Sequence, residues 1–91
     1  MFTVYILFSV VHNKIYIGST GNLEQRLLSH NELGKKGWTI KFRPWTLIHT
    51  ESFETKQQAL LSEKQLKAGK GRAWIKNEIL KNFNPQGLIS A

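Results

Sequence analysis

Two tyrosines, an arginine, a histidine and one glutamate stand in this chain where apolar residues would be expected. Tyr5 and Tyr16 interrupt two β-branched runs, Thr3-Val4-Tyr5-Ile6-Leu7 and Ile15-Tyr16-Ile17-Gly18, while Arg26, His30 and Glu63 fall on or beside apolar stripes of helical spacing. Together they suit phosphodiester hydrolysis. The paired N–H donors of Arg26 match charge developing on a phosphorane-like transition state. Glu63 can hold one Mg²⁺ or Mn²⁺, with water and substrate as the remaining ligands. A tyrosine activates water only if its pKa falls well below the usual value of about 10, and a nearby arginine, metal and positive field are expected to lower it. The same residues also admit a structural reading: packed tyrosines with bonded hydroxyls, surface-lying Arg26 and His30, a Glu63–Arg26 ion pair, and Gly18 permitting a close approach or a bulge.

The elements that must position these residues follow from periodicity. Phe2 to Val11 and Ile15 to Ser19 read as an antiparallel hairpin turned by His12-Asn13-Lys14, with Tyr5 on the face opposite Val4 and Ile6. Both strands are apolar on both faces, so helices must cover the sheet. Asn22 is placed to cap a helix in which Leu23, Leu27 and His30 lie together with Arg26 at their flank. A basic, glycine-containing connection, expected to be mobile and solvent-facing, leads to a third strand over Trp45 to Phe53. Thr55 then caps a long helix whose apolar arc of Ala59, Leu60 and Leu66 contains Glu63. Gly69-Lys70-Gly71 is expected to break it, and helical spacing resumes from Arg72 to Phe83. The order is ββαβαα: an α+β domain with a three-stranded antiparallel sheet flanked by helices, spanning 1–84, with a short tail over 85–91.

Composition narrows the partner. Thirteen Lys plus Arg against six acids give 91 residues a formal charge of +7, which favours a polyanion: nucleic acid first, an anionic membrane surface second. One basic cluster is Lys35, Lys36, Lys41 and Arg43; the other is Lys64, Lys67, Lys70, Arg72 and Lys76, interleaved with Trp74. A solvated helix face is the plainer explanation of either cluster. All six acids are glutamates, so a cage of several carboxylates is excluded, and the absence of cysteine excludes disulfides, zinc ribbons and thiol chemistry. The first apolar run is too short to span a bilayer and lacks a cationic lead, so the reading is a soluble protein of the cytoplasm. No zinc finger or helix-turn-helix signature offers a source of sequence-specific recognition.

Tyr5, ten intervening residues, then Tyr16-Ile17-Gly18, followed by Arg26, His30 and Glu63, resembles the GIY-YIG nuclease superfamily, in particular its small single-domain members. The second triplet is intact; in the first, Thr3-Val4 stands in place of Gly-Ile. The resemblance covers essentially the whole chain and implies the same three-stranded sheet flanked by helices. It implies Tyr5 as general base, Tyr16 as the group positioning water or phosphate, Arg26 as transition-state stabiliser, His30 as an aid to proton transfer and Glu63 as the single metal ligand. Asn77 is the nearest match to a further asparagine found in some members.

The expectation is therefore a metal-dependent endonuclease acting on DNA, structure- or lesion-directed as in repair, with RNA not excluded. It would need one Mg²⁺ or Mn²⁺, no small-molecule cofactor and no membrane, and would act as a monomer or weak homodimer. Two alternatives stand beside it: a nucleic-acid-binding module that keeps the fold without the chemistry, and a protein-interaction domain using exposed tryptophans.

Overall fold

A long run of β-branched and aromatic residues is best satisfied as a strand covered on both sides. In the computed structural model, which describes residues 1–34 and 37–80, it forms the centre of a sheet. β1 (Phe2–Ser9) pairs antiparallel with β2 (Lys14–Thr20) and with β3 (Thr46–Phe53), giving the order β2-β1-β3. Its central place explains its composition: every residue from Val4 to Ser9 is buried. The hairpin turns through Asn13 at φ 54°, a left-handed conformation that asparagine tolerates, and Ser9 Oγ accepts the His12 N–H at 3.3 Å.

The two faces of β1 receive different covers. Val4, Ile6 and Ile17 pack with Ala59 and Leu66 of α2 (Lys56–Lys67) and with Ile75. On the opposite face Tyr5, Leu7 and Trp45 form a second core with Tyr16, with Leu23 and Leu27 of α1 (Leu23–Leu28), and with Phe42. A final helical stretch, α3 (Gly69–Trp74) continued by a π-helical segment Ile75–Leu80, completes an α+β arrangement in the order ββαβαα. Among the described residues no helix is long and apolar enough to cross a membrane.

Both expected caps are present. Asn22 Oδ1 accepts the Gln25 N–H at 3.1 Å. Thr55 and Gln58 form a reciprocal capping box, with side-chain-to-backbone bonds of 3.2 and 3.3 Å.

Local differences from the sequence expectations have physical causes. The connection after Gly34 is not simply a solvated loop: Trp38–Phe42 is a short 3-10 helix, held because Phe42 joins the second core and Trp38 leans on Phe42 and Trp45 at ring-centroid distances of 4.7 and 5.8 Å. Leu60 is exposed rather than part of the buried arc of α2. The helix break falls at Ala68, whose extended ψ of 166° ends α2, so that Gly69 and Gly71 lie in the first turn of α3 instead of separating the helices. β3 carries an irregularity where Ile6 faces His49 but Leu7 faces Leu47, leaving Ile48 as an extra residue. The expected end of the last helix and the tail over 85–91 lie outside the described residues.

Gly71 shows how tightly α3 turns back on α2. A Cβ there would collide with the Gln65 carbonyl oxygen and the Leu66 backbone, whereas one on Gly69 would meet nothing within 4 Å. Gly71→Ala is therefore expected to lower stability by about 1–3 kcal/mol through overpacking. Gly69→Ala should be neutral or slightly stabilising. Urea denaturation of the two variants side by side checks the difference, and equal midpoints would refute it.

Candidate active site

The site begins with a missing side chain. Tyr5 lies directly across from Gly18 in the β1–β2 register. A Cβ on Gly18 would come within 2.7 Å of the Tyr5 phenol oxygen, 2.8 Å of its Cζ and 3.0 Å of Tyr16 Cε2. Only glycine lets the Tyr5 ring lie down over β2. Tyr16, paired with Leu7 on the same face, then sits diagonally beside Tyr5, their ring centroids 6.1 Å apart.

From the covering helix come Arg26 and His30. After α1 the chain continues as a π-helical turn, Ser29–Leu33, closed by the Gly34 N–H donating to the Ser29 carbonyl at 2.8 Å. His30 is buried inside this turn, with its ring centroid 4.7 Å from Tyr16 and 5.7 Å from Tyr5. Tyr5 Oη lies 2.8 Å from His30 Nε2, and His30 Nδ1 lies 3.0 Å from Thr39 Oγ1. Burial pushes the Tyr5 phenol up to about 12, outweighing the opposing pull of the Arg26 guanidinium beside it. The expected fall of the tyrosine pKa is thus reversed, because desolvation of the anion exceeds its attraction to one cation. Burial, then the charges of Arg26 and Arg43, hold His30 below its ordinary value. The His30 ring bridges two hydroxyls, one ring nitrogen of the neutral imidazole donating and the other accepting.

A bracket of backbone contacts keeps this triad in place. Arg43 donates from Nε to the His30 carbonyl, and from Nη2 to the Ser29 and Gly34 carbonyls at 3.0 and 2.7 Å. Read from sequence as a phosphate-binding cation, Arg43 is occupied by the end of the helix, where its charge also suits the dipole. Asn31 exchanges two hydrogen bonds with the Trp45 backbone, at 2.6 and 3.2 Å, and Trp45 Nε1 donates to the Thr39 carbonyl at 2.8 Å. Thr39, Asn31 and the role of Arg43 carry no sequence signal, since each depends on the 3-10 helix folding against α1.

Glu63 stands apart from the other four. It projects from α2, on the face of the sheet opposite Tyr5, and meets β2 through Ser19 Oγ, which donates to Oε1 at 2.7 Å. Its other oxygen accepts from Lys67 Nζ at 2.7 Å, so the Glu63–Arg26 pair expected from a structural reading is not formed. Burial would raise the Glu63 pKa, but the bonds from Lys67 and Ser19 prevail and hold it below the ordinary carboxylate value. Among the described residues no group of three or more His, Cys, Asp or Glu side chains could hold a metal ion. Glu63 is an ionised carboxylate whose two oxygens are taken by the Ser19 hydroxyl and the exposed Lys67, so a divalent ion bound there would have to displace the lysine.

Two cavities of about 210 and 200 Å³ adjoin Tyr16. The first is lined by Tyr16, Arg26, His30, Trp38 and Thr39 among others. The second is lined by Ile15, Tyr16, Ile17, Trp38, Lys67 and Arg72, and thereby joins the second basic cluster to the aromatic wall. Lys41, Lys64, Lys70 and Lys76 are exposed, as is Asn77 on the last π-helical segment; Lys35 and Lys36 lie outside the described residues. A larger cavity of about 590 Å³ opens elsewhere, between β3 and α2.

Acid should loosen this site in two separate windows. His30 has a lowered folded pKa, so its contribution is fully present above the unfolded value of 6.5 and is lost as pH falls below it, because the unfolded chain then binds the extra proton. Stability should fall there by up to about 1.4 kcal/mol per pH unit, and His30→Gln should flatten that slope. Glu63 adds a second loss as pH falls below 4.5. Denaturant midpoints measured across pH 7.5 to 4 check both; an unchanged slope in His30→Gln would refute the first.

The chain has counterparts among known proteins. Residues 1–77 match the family model described as the GIY-YIG catalytic domain. The chain is 41% identical over 69 residues to a UPF0213 protein of Bacillus velezensis, covering 72% of this chain and 70% of the relative. It is 34% identical over 65 residues to a UPF0213 protein of Natronomonas pharaonis, covering 71% and 75% respectively. A sheet of order β2-β1-β3 carrying both tyrosines on one face, with a match across 1–77, establishes that this chain belongs to the GIY-YIG family.

Proposed function

We propose that this protein is a metal-dependent endonuclease that hydrolyses DNA phosphodiester bonds, selecting its substrates by structure or lesion. The observation that carries the reading is the convergence of Tyr16, Arg26 and His30 on one cavity, with Tyr5 buried behind His30 in a hydrogen-bond chain from phenol to imidazole to Thr39. Arg26, exposed at the rim and held protonated by the Tyr5 oxygen, is free to meet an entering phosphate. Tyr16, only half-buried, positions water or phosphate oxygen at the cavity floor. Tyr5 receives a proton from water only as it passes its own to Nε2, and Arg26 steadies the charge that moves between them. Glu63 is the residue that would hold a divalent ion; when bound, such an ion withdraws charge from phosphate oxygens and acidifies water. Lys41, Lys64, Lys67, Lys70, Arg72 and Lys76 supply sequence-independent attraction to the backbone, which leaves selection to substrate shape.

A second reading has an observation of its own. Tyr5 is fully buried and its phenol is raised to about 12, which suits a domain that binds nucleic acid and has no chemistry. Cleavage of branched, flapped, single-stranded and linear duplex DNAs with Mg²⁺ or Mn²⁺ separates the two. Glu63→Ala is expected to abolish cleavage while retaining binding. Tyr5→Phe and Arg26→Ala should lower the rate by about 10²–10³. Undiminished cleavage by Glu63→Ala would sink the metal role, and wild-type binding without cleavage would favour the binding module.

A further inference from the structure

Trp38 has no part in the hydrogen-bond chain, yet it lines both cavities beside Tyr16. Its indole is braced from behind: Phe42 lies 4.7 Å away, Trp45 5.8 Å, and Tyr16 6.5 Å at an interplanar angle of only 28°. Even so, 46% of the residue is open to solvent. A tryptophan that served only to cover Trp45 would bury more of itself; this one is held rigid with a large apolar surface exposed. Across the second cavity stand Lys67 and Arg72. Arg72 uses Nε to cap α2 at the Lys67 carbonyl, 3.0 Å away, which leaves its terminal nitrogens for a ligand. An aromatic platform, an aliphatic floor from Ile15 and Ile17 and two cations make a site for a planar base joined to an anion.

We infer that this second cavity, across the β2 edge, is a subsite for one unpaired nucleotide of the substrate strand. The base stacks on Trp38, and its phosphate is held by Lys67 and Arg72. The inference rests on the nucleic-acid reading above and deepens it. The two cavities share Tyr16 and Trp38, so a nucleotide in the second adjoins a phosphate in the first. A base held in a duplex is already paired and stacked and cannot offer its face to Trp38 without leaving the helix. The subsite thus selects strands that are single or locally opened at the cleavage point.

The test is binding without catalysis: fluorescence anisotropy of a short labelled oligothymidylate and of a blunt duplex hairpin, in EDTA at fixed salt. Wild type should prefer the oligothymidylate. Trp38→Ala should weaken that binding about tenfold or more, as expected for loss of one stacked base, and change duplex binding little. Trp38→Phe should keep most of the affinity, and Trp74→Phe, on the side facing Glu51 and Ser62, should keep all of it. Circular dichroism melts verify folding. Because Trp38→Ala also removes packing, a second readout uses only the conservative variant: oligothymidylate should quench intrinsic fluorescence in wild type and much less in Trp38→Phe. Equal quenching in both, or an equal loss on single strand and duplex in Trp38→Ala, would overturn the subsite. Failure of wild type to bind either nucleic acid would overturn the nucleic-acid reading itself.

Discussion

The structure depends on a phenol and an imidazole held together out of water. Leaving either polar group unpaired after burial would cost about 1–3 kcal/mol, so each must find a partner within the fold. Tyr5 finds His30, and His30 finds Thr39. Around this chain the other features become requirements: glycine at 18 so the ring can lie flat, a π-helical turn that carries His30 inward, and a 3-10 helix to present Thr39. Arg43 and Asn31 lock the helix end to the following segment. The outcome is that no buried side-chain nitrogen or oxygen among the described residues lacks a partner.

The same burial sets the chemistry. With the phenol raised to about 12 and the imidazole held below its ordinary value, both shifts favour the neutral pair, and moving a proton from Tyr5 to His30 is uphill at rest. A resting tyrosinate is therefore ruled out by desolvation. Any step that uses Tyr5 must bring charge compensation with it, and Arg26 is the neighbouring group that already lowers the cost of the anion. In the proposed nuclease Tyr5 would therefore act in a concerted shuttle and not as a pre-formed base.

Much of this was legible from residue types alone. Strict alternation set Tyr5 opposite Val4 and Ile6, and Tyr16 opposite Ile17, and helical spacing turned Arg26 and His30 toward the packing partners of Leu23 and Leu27; that these partners are the tyrosine face of the sheet came from the structure. Capping chemistry located the starts of α1 and α2. What was not legible came from contacts made between distant segments. The segment 38–42 has no periodicity to betray a helix; it is ordered because Trp38 and Phe42 find aromatic partners that pattern cannot supply. The sign of the Tyr5 shift required knowing its depth, since one arginine and full desolvation act in opposite directions. Arg43 looked like any other cation until its carbonyl partners were in place.

The separation of Glu63 from the tyrosines explains why the site is built on β2. Successive side chains of a strand point to opposite faces, so Gly18 serves the tyrosine face while Ser19, one residue on, holds Glu63 on the other. On a central strand these two functions would be sealed from each other by the neighbouring strands. β2 is an edge, and its outer side opens into the cavity that runs from Tyr16 and Trp38 to Lys67, the cation bonded to Glu63. A polyanion lying across that edge can meet Arg26 on one face and the surroundings of Glu63 on the other at the same time. Among the described residues this strand edge, usually a liability, borders both halves of the constellation.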